Sequence, residues 1–159
     1  PSDSGGKTRY GITERTARKH GYVGPMNALP MSKAVSIYEL SFWKKLQLDK
    51  ISEISEVIAE EIADTAVNMG QKKAVSFLQR GLNVLNDGGK HYPDLKADGL
   101  IGSRTIFALS QFIEHRGVNG ELALYRALNC LQGAFYVTLA EAREKDEAFV
   151  YGWLLHRIK

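Results

Sequence analysis

The sequence predicts an all-α protein, a lysozyme-like helical domain packed with a second helical subdomain, and three observations carry that expectation. Apolar residues recur at three- and four-residue intervals in nearly every segment. Glycine, proline and Asn-Asp clusters break those segments at helix-like lengths. Strand-like alternation is confined to a small ribbon near residues 7–11.

Taken in order, Thr13 has the side chain of an N-cap, with Glu14 in the first turn behind it, and Gly21 ends that helix about two turns later. Residues 21–30, with Gly24-Pro25 and Leu29-Pro30, read as loop. Ser32 is expected to cap a second helix, whose Val35, Tyr38, Phe42 and Leu46 form one apolar stripe. A third helix covers about 53–69, with Ile54, Ile58, Ile62, Ala66 and Met69 inward and Glu56, Glu60 and Glu61 outward, until Gly70 breaks it. A fourth covers 72–85, with Val75, Leu78, Leu82 and Leu85 inward, and stops at Asn86-Asp87-Gly88-Gly89. Residues 86–102 form the longest irregular segment, and a loop of that length in a helical protein marks a functional or ligand-facing element. Helix resumes over 103–115, is punctuated by Gly117, and continues over 121–144 with Leu124, Leu128, Leu131, Phe135 and Leu139 inward. A short last helix carries Phe149, Trp153 and His156.

A chain of 159 residues suffices for one packed domain or two subdomains sharing a core. The division expected here is 1–70 and 71–159, and with no linker or low-complexity tract the halves are expected to pack together. No apolar run is long enough to span a bilayer. The lone Cys130 excludes an internal disulfide and reads as small buried filler. The four histidines have no metal-ligand spacing, and phosphate-loop and dinucleotide fingerprints are missing, so no cofactor and no metal are expected. The first fifty residues hold nine Lys and Arg against four Asp and Glu, a balance that favours an anionic polymer as partner. Nucleic acid is disfavoured, because basic and acidic residues alternate on most helices.

The chemistry concentrates at the start. In Asp3-Ser-Gly-Gly-Lys-Thr8-Arg-Tyr10-Gly-Ile-Thr13, a carboxylate and a hydroxyl five residues apart can hold and activate a water. Asp3 reads equally as a turn residue capping backbone amides. Tyr10 suits either a sugar-stacking platform or a core position. Asp64 and Asn68 are four residues apart on one helix face, and an Asn amide donates and accepts at once, which suits amino-sugar groups. Helix C-capping by Asn68 and Gly70 is the alternative.

The Asp3–Thr13 run resembles the N-acetylmuramidases of glycoside hydrolase family 108, which read Glu-Gly-Gly-Tyr, a short spacer, then Asp-x-Gly-Gly-x-Thr-x-Tyr-Gly-Ile-Thr. Asp64-Thr-Ala-Val-Asn68-Met-Gly70, followed by Ala74 and Leu78-Gln79, is similar to a second run of that family. The resemblance implies a peptidoglycan hydrolase cleaving the bond between N-acetylmuramic acid and N-acetylglucosamine, with Asp3 and Thr8 as catalytic residues and Tyr10, Asp64, Asn68 and Gln79 as substrate-binding ones. The general acid it implies is a glutamate about nine residues before Asp3, outside residues 1–159; Glu14 is the first candidate within them. A likeness to phage lysozymes points to inversion, although Thr8 stands one residue closer to Asp3 than in those enzymes.

Lys96-Ala-Asp98-Gly99-Leu-Ile-Gly102-Ser-Arg-Thr105 resembles the Asp-Gly-x-x-Gly-x-x-Thr signature of small helical peptidoglycan-binding modules, and Gly152-Trp153-Leu-Leu-His-Arg157 resembles the close of the family's C-terminal region. Peptidoglycan glycan strands are therefore the implied partner. The context implied is a phage or prophage endolysin or a wall-remodelling enzyme, made in the bacterial cytoplasm and exported or released to the periplasm or cell wall. The rival reading is a non-catalytic wall-binding or secretion-associated protein of the same fold.

Overall fold

The computed structural model describes residues 7–159, so the candidate Asp3 lies outside the described residues. The chain is all-α, with one two-stranded ribbon, and divides into two compact units, Pro1–Lys45 and Leu46–Lys159.

In the first unit, β1 (Thr8–Arg9) pairs antiparallel with β2 (Ile12–Thr13), Arg9 opposite Ile12. The two-residue connection has positive φ at both positions, Tyr10 at 53° and Gly11 at 73°, as tight hairpins with the right-handed strand twist require. The Tyr38 hydroxyl donates to the Tyr10 carbonyl at 2.7 Å and fastens this turn. Thr13 caps α1 (Glu14–Lys19) as expected, accepting from the Thr16 amide at 3.2 Å. α2 (Met31–Tyr38) starts behind Pro30, so Ser32 sits inside the first turn and does not cap it. A proline with preset φ needs no amide partner there. The buried positions of α2 are Ala34 and Ile37, whereas Val35 is 49% exposed. The expected stripe is therefore out of phase, and a π-helical turn at Glu39–Trp43 shifts the phase again. Ile12, Ala17, Met26, Leu29, Ala34 and Ile37 form the core, with Tyr22 and Tyr38 against it.

The second unit is built from α3 (Leu48–Ile54), α4 (Glu56–Met69), α5 (Gln71–Val84), α6 (Ser103–Ala142) and α7 (Glu147–Arg157). The single helix expected over 53–69 is two, because Ser55 is extended (φ −158°, ψ 113°) and caps α4 through the Ile58 amide at 3.1 Å. Its hydroxyl also donates to Glu121 Oε1 at 2.6 Å, tying this corner to α6. α4 packs on both α5 and α6, with Ile58, Ile62 and Ala66 buried as expected. α6 kinks at Gly117, whose φ of 56° and ψ of −150° are open to glycine and strained for other residues. Beyond the kink Leu124, Leu128, Gln132, Tyr136 and Ala140 form the buried line. Cys130 falls off that line and is exposed, contrary to its expected burial. Trp153 stacks on Tyr136 with ring centres 5.0 Å apart and anchors α7 to α6.

Glu61, expected outward, is 3% exposed where α4 meets α6. Burial, and then the charge of Asp64, push its carboxyl above the usual carboxylate range. Its Oε1 and the Oε1 of Gln132 lack partners among the described residues, and both side chains meet at Thr65.

The long irregular segment is held by two amides one turn apart on α5, Gln79 and Asn83, and by a third, Asn86, just past the helix end. Gln79 accepts from the Gly99 amide at 2.9 Å and shares its own two N–H groups among Asp98 Oδ1, the Leu100 carbonyl and Thr105 Oγ1. Asn83 pairs with both backbone groups of Leu95, at 2.7 and 2.8 Å. Asn86 accepts from the His91 and Tyr92 amides and donates to the Tyr92 carbonyl and Asp94. Tyr92 is buried, its hydroxyl donating to the Leu82 carbonyl at 2.7 Å, and burial pushes its pKa up to about 12.

Two predictions follow from the buried groups. A carboxyl whose folded pKa is raised contributes stability below its unfolded pKa, and that contribution is lost as pH rises through the folded value. Glu61→Gln is therefore expected to melt higher than the parent at pH 7, by about 2–4 °C per ~1 kcal/mol gained, with the gap closing toward pH 4; thermal melts across that range measure it. Gly99→Ala faces a φ of 74° and a Cβ colliding with the Lys72 carbonyl, so it is expected to cost about 2 kcal/mol or more, as is Gln79→Ala, which leaves the Gly99 amide unpaired. Denaturant midpoints of both variants check this.

Candidate functional site

In the first unit, Thr8 lines an open groove of about 950 Å³ with Lys7, Arg9, Glu14, Arg18 and the 25–27 turn. Among the described residues its lining is cationic, with three basic side chains to one carboxylate. Arg18 is held in place by Glu14 at 2.8 Å and by the carbonyls of Tyr22 and Gly24 at 2.9 and 2.8 Å. Glu14, the first acid candidate among residues 1–159, is thus the ion-pair partner that fixes this wall. Thr8 is exposed on the ribbon, and its hydroxyl can donate to and accept from a water or a sugar hydroxyl. Tyr10 is not a core residue: it is 40% exposed at the hairpin tip. The Arg9 guanidinium lies over its ring, 5.0 Å from the centre, and donates to its hydroxyl at 3.2 Å.

In the second unit, Asp64 and Asn68 share the last turns of α4, one helical turn apart. Asp64 is exposed, and the Asn68 amide donates back to the Asp64 carbonyl at 2.9 Å. Gly70, at φ 90°, takes the C-terminal cap itself. Gln79 is 2% exposed, its amide fully engaged with the 98–105 segment. Of the described candidates, the structure therefore pairs Thr8 with Tyr10 on one hairpin and Asp64 with Asn68 on one helix end, and places Gln79 beneath a loop.

That loop frames a second groove, of about 690 Å³, between residues 92–102 and the first turns of α6. Its lining combines Leu95, Leu100, Ile101 and Phe107 with Lys96 and Arg104. None of these six was singled out from sequence as a contact residue. The available signal was the Asp98-Gly99 to Thr105 motif, which reports the turn and not the side chains around it. Asp98 accepts from the Leu100 amide at 2.9 Å, and this bond, with that from Gln79, holds its carboxyl below the usual range. Among the described residues no group of three or more His, Cys, Asp and Glu side chains could hold a metal ion. No helix among them is long and apolar enough to cross a membrane.

Two family models match the chain and meet near Gly70. Residues 1–70 match glycosyl hydrolase 108, and residues 73–158 match a domain described as a predicted peptidoglycan domain. No curated protein matches the chain. The first match takes in the Thr8 groove together with α3 and α4, which pack in the second compact unit; the second takes in the loop, its amide supports and its groove. Peptidoglycan is the partner, and hydrolysing or binding it is the role. The chain belongs to the predicted peptidoglycan domain family, joined through residues 1–70 to glycosyl hydrolase 108.

Proposed function

We propose that the protein is an N-acetylmuramidase that cleaves the β-1,4 bond between N-acetylmuramic acid and N-acetylglucosamine. The observation that carries this reading is the glycosyl hydrolase 108 match over the segment whose hairpin exposes Thr8 and Tyr10 beside a cationic groove. Glycoside hydrolysis needs a carboxylic acid at the leaving oxygen and a carboxylate on the opposite face. In the proposed reaction Asp3 is that carboxylate and activates a water, Thr8 helps to hold the water, and the proton comes from the glutamate of the family's first motif, outside residues 1–159. Tyr10 offers its ring to a sugar face. Asp64 and Asn68 supply polar contacts to acetamido and hydroxyl groups, and Gln79 contributes through the loop it holds. Lys7, Arg9 and Arg18 draw the anionic wall toward the groove. The protein would be made in the cytoplasm and reach the wall by export or release, as an endolysin or a remodelling enzyme.

The test uses the full-length gene product on purified sacculi, with the fragments reduced and weighed. Reducing-end muramic acid is expected, and the freshly released sugar is expected as the α-anomer, the outcome of inversion at a β-linkage. Asp3→Asn should lower the rate by about 10²–10⁴-fold with an unchanged melting temperature. An Asp3→Asn protein that clears sacculi at the parental rate would make Asp3 a turn residue and end this reading.

A further inference from the structure

We propose that the groove between residues 92–102 and the start of α6 binds the short peptide stems of peptidoglycan and not its sugar strands. The inference rests on peptidoglycan being the partner and assigns a ligand to the groove framed by the loop that Gln79 holds.

The wall of the groove is aliphatic. Leu95, Leu100 and Ile101 line it, and Leu100 and Phe107 remain 69% and 54% exposed. Apolar side chains gathered in a concave site favour an occupant that covers them, and methyl groups suit such a wall. Sugar rings stack on flat exposed aromatic faces, and this lining offers a single one, Phe107, set among three aliphatic side chains, while its one tyrosine, Tyr92, is buried with its hydroxyl bonded to Leu82.

Charge sharpens the choice. Lys96 and Arg104 are exposed and form no ion pair among the described residues. The acids are already engaged by the fold. Asp98 Oδ1 accepts from the Leu100 amide and Gln79, and Asp94 Oδ1 accepts from Asn86. The groove therefore offers two cations outside any ion pair among the described residues, Lys96 with its charge felt at Asp98, and lines them with the carboxylates of Asp94 and Asp98. Wall stem peptides carry alanine methyls, free carboxylates and an amine, whereas the glycan that bears them offers hydroxyls and acetamides, its lactyl carboxyls being taken up in the amide bonds to the stems. Carboxylates on the two cations, an amine toward Asp94 or Asp98 and methyls on the leucines match this inventory group for group. The loop is bound to α5 through Gln79 and Asn83, and to itself through Asn86, before any ligand arrives, so binding forgoes the ordering cost of a mobile loop.

The experiment titrates the intact chain with the isolated stem tetrapeptide L-Ala–γ-D-Glu–diamino acid–D-Ala, with an oligosaccharide of N-acetylglucosamine alone, which carries no carboxylate, and with whole sacculi. The peptide is expected to shift amide resonances of residues 92–107. Lys96→Glu combined with Arg104→Glu should weaken peptide binding at least tenfold, with oligosaccharide binding and melting temperature unchanged, and Lys96→Arg with Arg104→Lys should restore it. Peptide binding that is absent, maps elsewhere or survives the charge reversal overturns the proposal. If the parent still sediments with sacculi in that case, only the groove's ligand is wrong. If it does not sediment with sacculi, the peptidoglycan-directed reading falls as well.

Discussion

The row of amides at Gln79, Asn83 and Asn86 is the constraint on which the rest of the second unit depends. Eighteen residues of irregular backbone between α5 and α6 carry polar groups that neither a helix nor a sheet satisfies. Buried backbone groups must be paired, and leaving one unpaired costs about 1–3 kcal/mol. Gln79 and Asn83 supply those partners from one face of α5 and Asn86 from just past its end, pairing with backbone groups of His91, Tyr92, Leu95, Gly99 and Leu100. The positive-φ turn at Gly99, a conformation open to glycine and packed too close to Lys72 for any larger residue, is fixed by these bonds. A groove with a fixed rim is the consequence.

The first unit solves a similar problem with different groups. Its ribbon is only two residue pairs long, too short to stand alone. The Tyr38 hydroxyl holds the hairpin through the Tyr10 carbonyl, and Arg18 holds the 22–24 turn through two more carbonyls. In both units, helical side chains grip the backbone of a non-helical segment, leaving that segment's own side chains for solvent or ligand. Thr8 and Tyr10 on one segment, and Lys96 and Leu100 on the other, owe their exposure to this arrangement.

How much of this was legible depended on whether the signal was local. Thr13 announced its cap, and Gly21, Gly70 and the Asn86–Gly89 cluster announced their breaks, because caps and turns are set by neighbouring residues. Gly117 likewise marked the kink in α6. The break at Ser55 was missed although Ser-Glu is an N-cap pattern, since the apolar period runs through it unbroken. Glu61 and Cys130 were misplaced because which face of a helix is buried is decided by what packs on it: α4 lies against two helices, and the line 124–128–132–136–140 fixes the buried side of α6. The long loop was marked for function, yet its contact residues were not, since the motif encodes the turn while Lys96, Arg104 and Phe107 are placed by tertiary bonds. Gln79 was chosen as a ligand contact from resemblance, and its burial beneath the loop makes its influence indirect.

The carboxyls separate what a raised pKa means from where catalysis can occur. Glu61 is the described carboxyl clearly shifted upward, the direction expected of a general acid. It is nevertheless enclosed between α4 and α6, bonded to Asn129 and Thr65, and lines neither groove. A proton donor has to come within hydrogen-bond reach of the leaving oxygen, so geometry disqualifies Glu61 before its protonation state matters. Glu14 has the opposite character: it lines the Thr8 groove but is bound to Arg18, whose removal would free the 22–24 turn. One acid is out of reach and the other serves as a structural counterion. The proton donor of the proposed reaction is the glutamate that the family resemblance implies, and the roles proposed for Asp3, Thr8 and Tyr10 go with it.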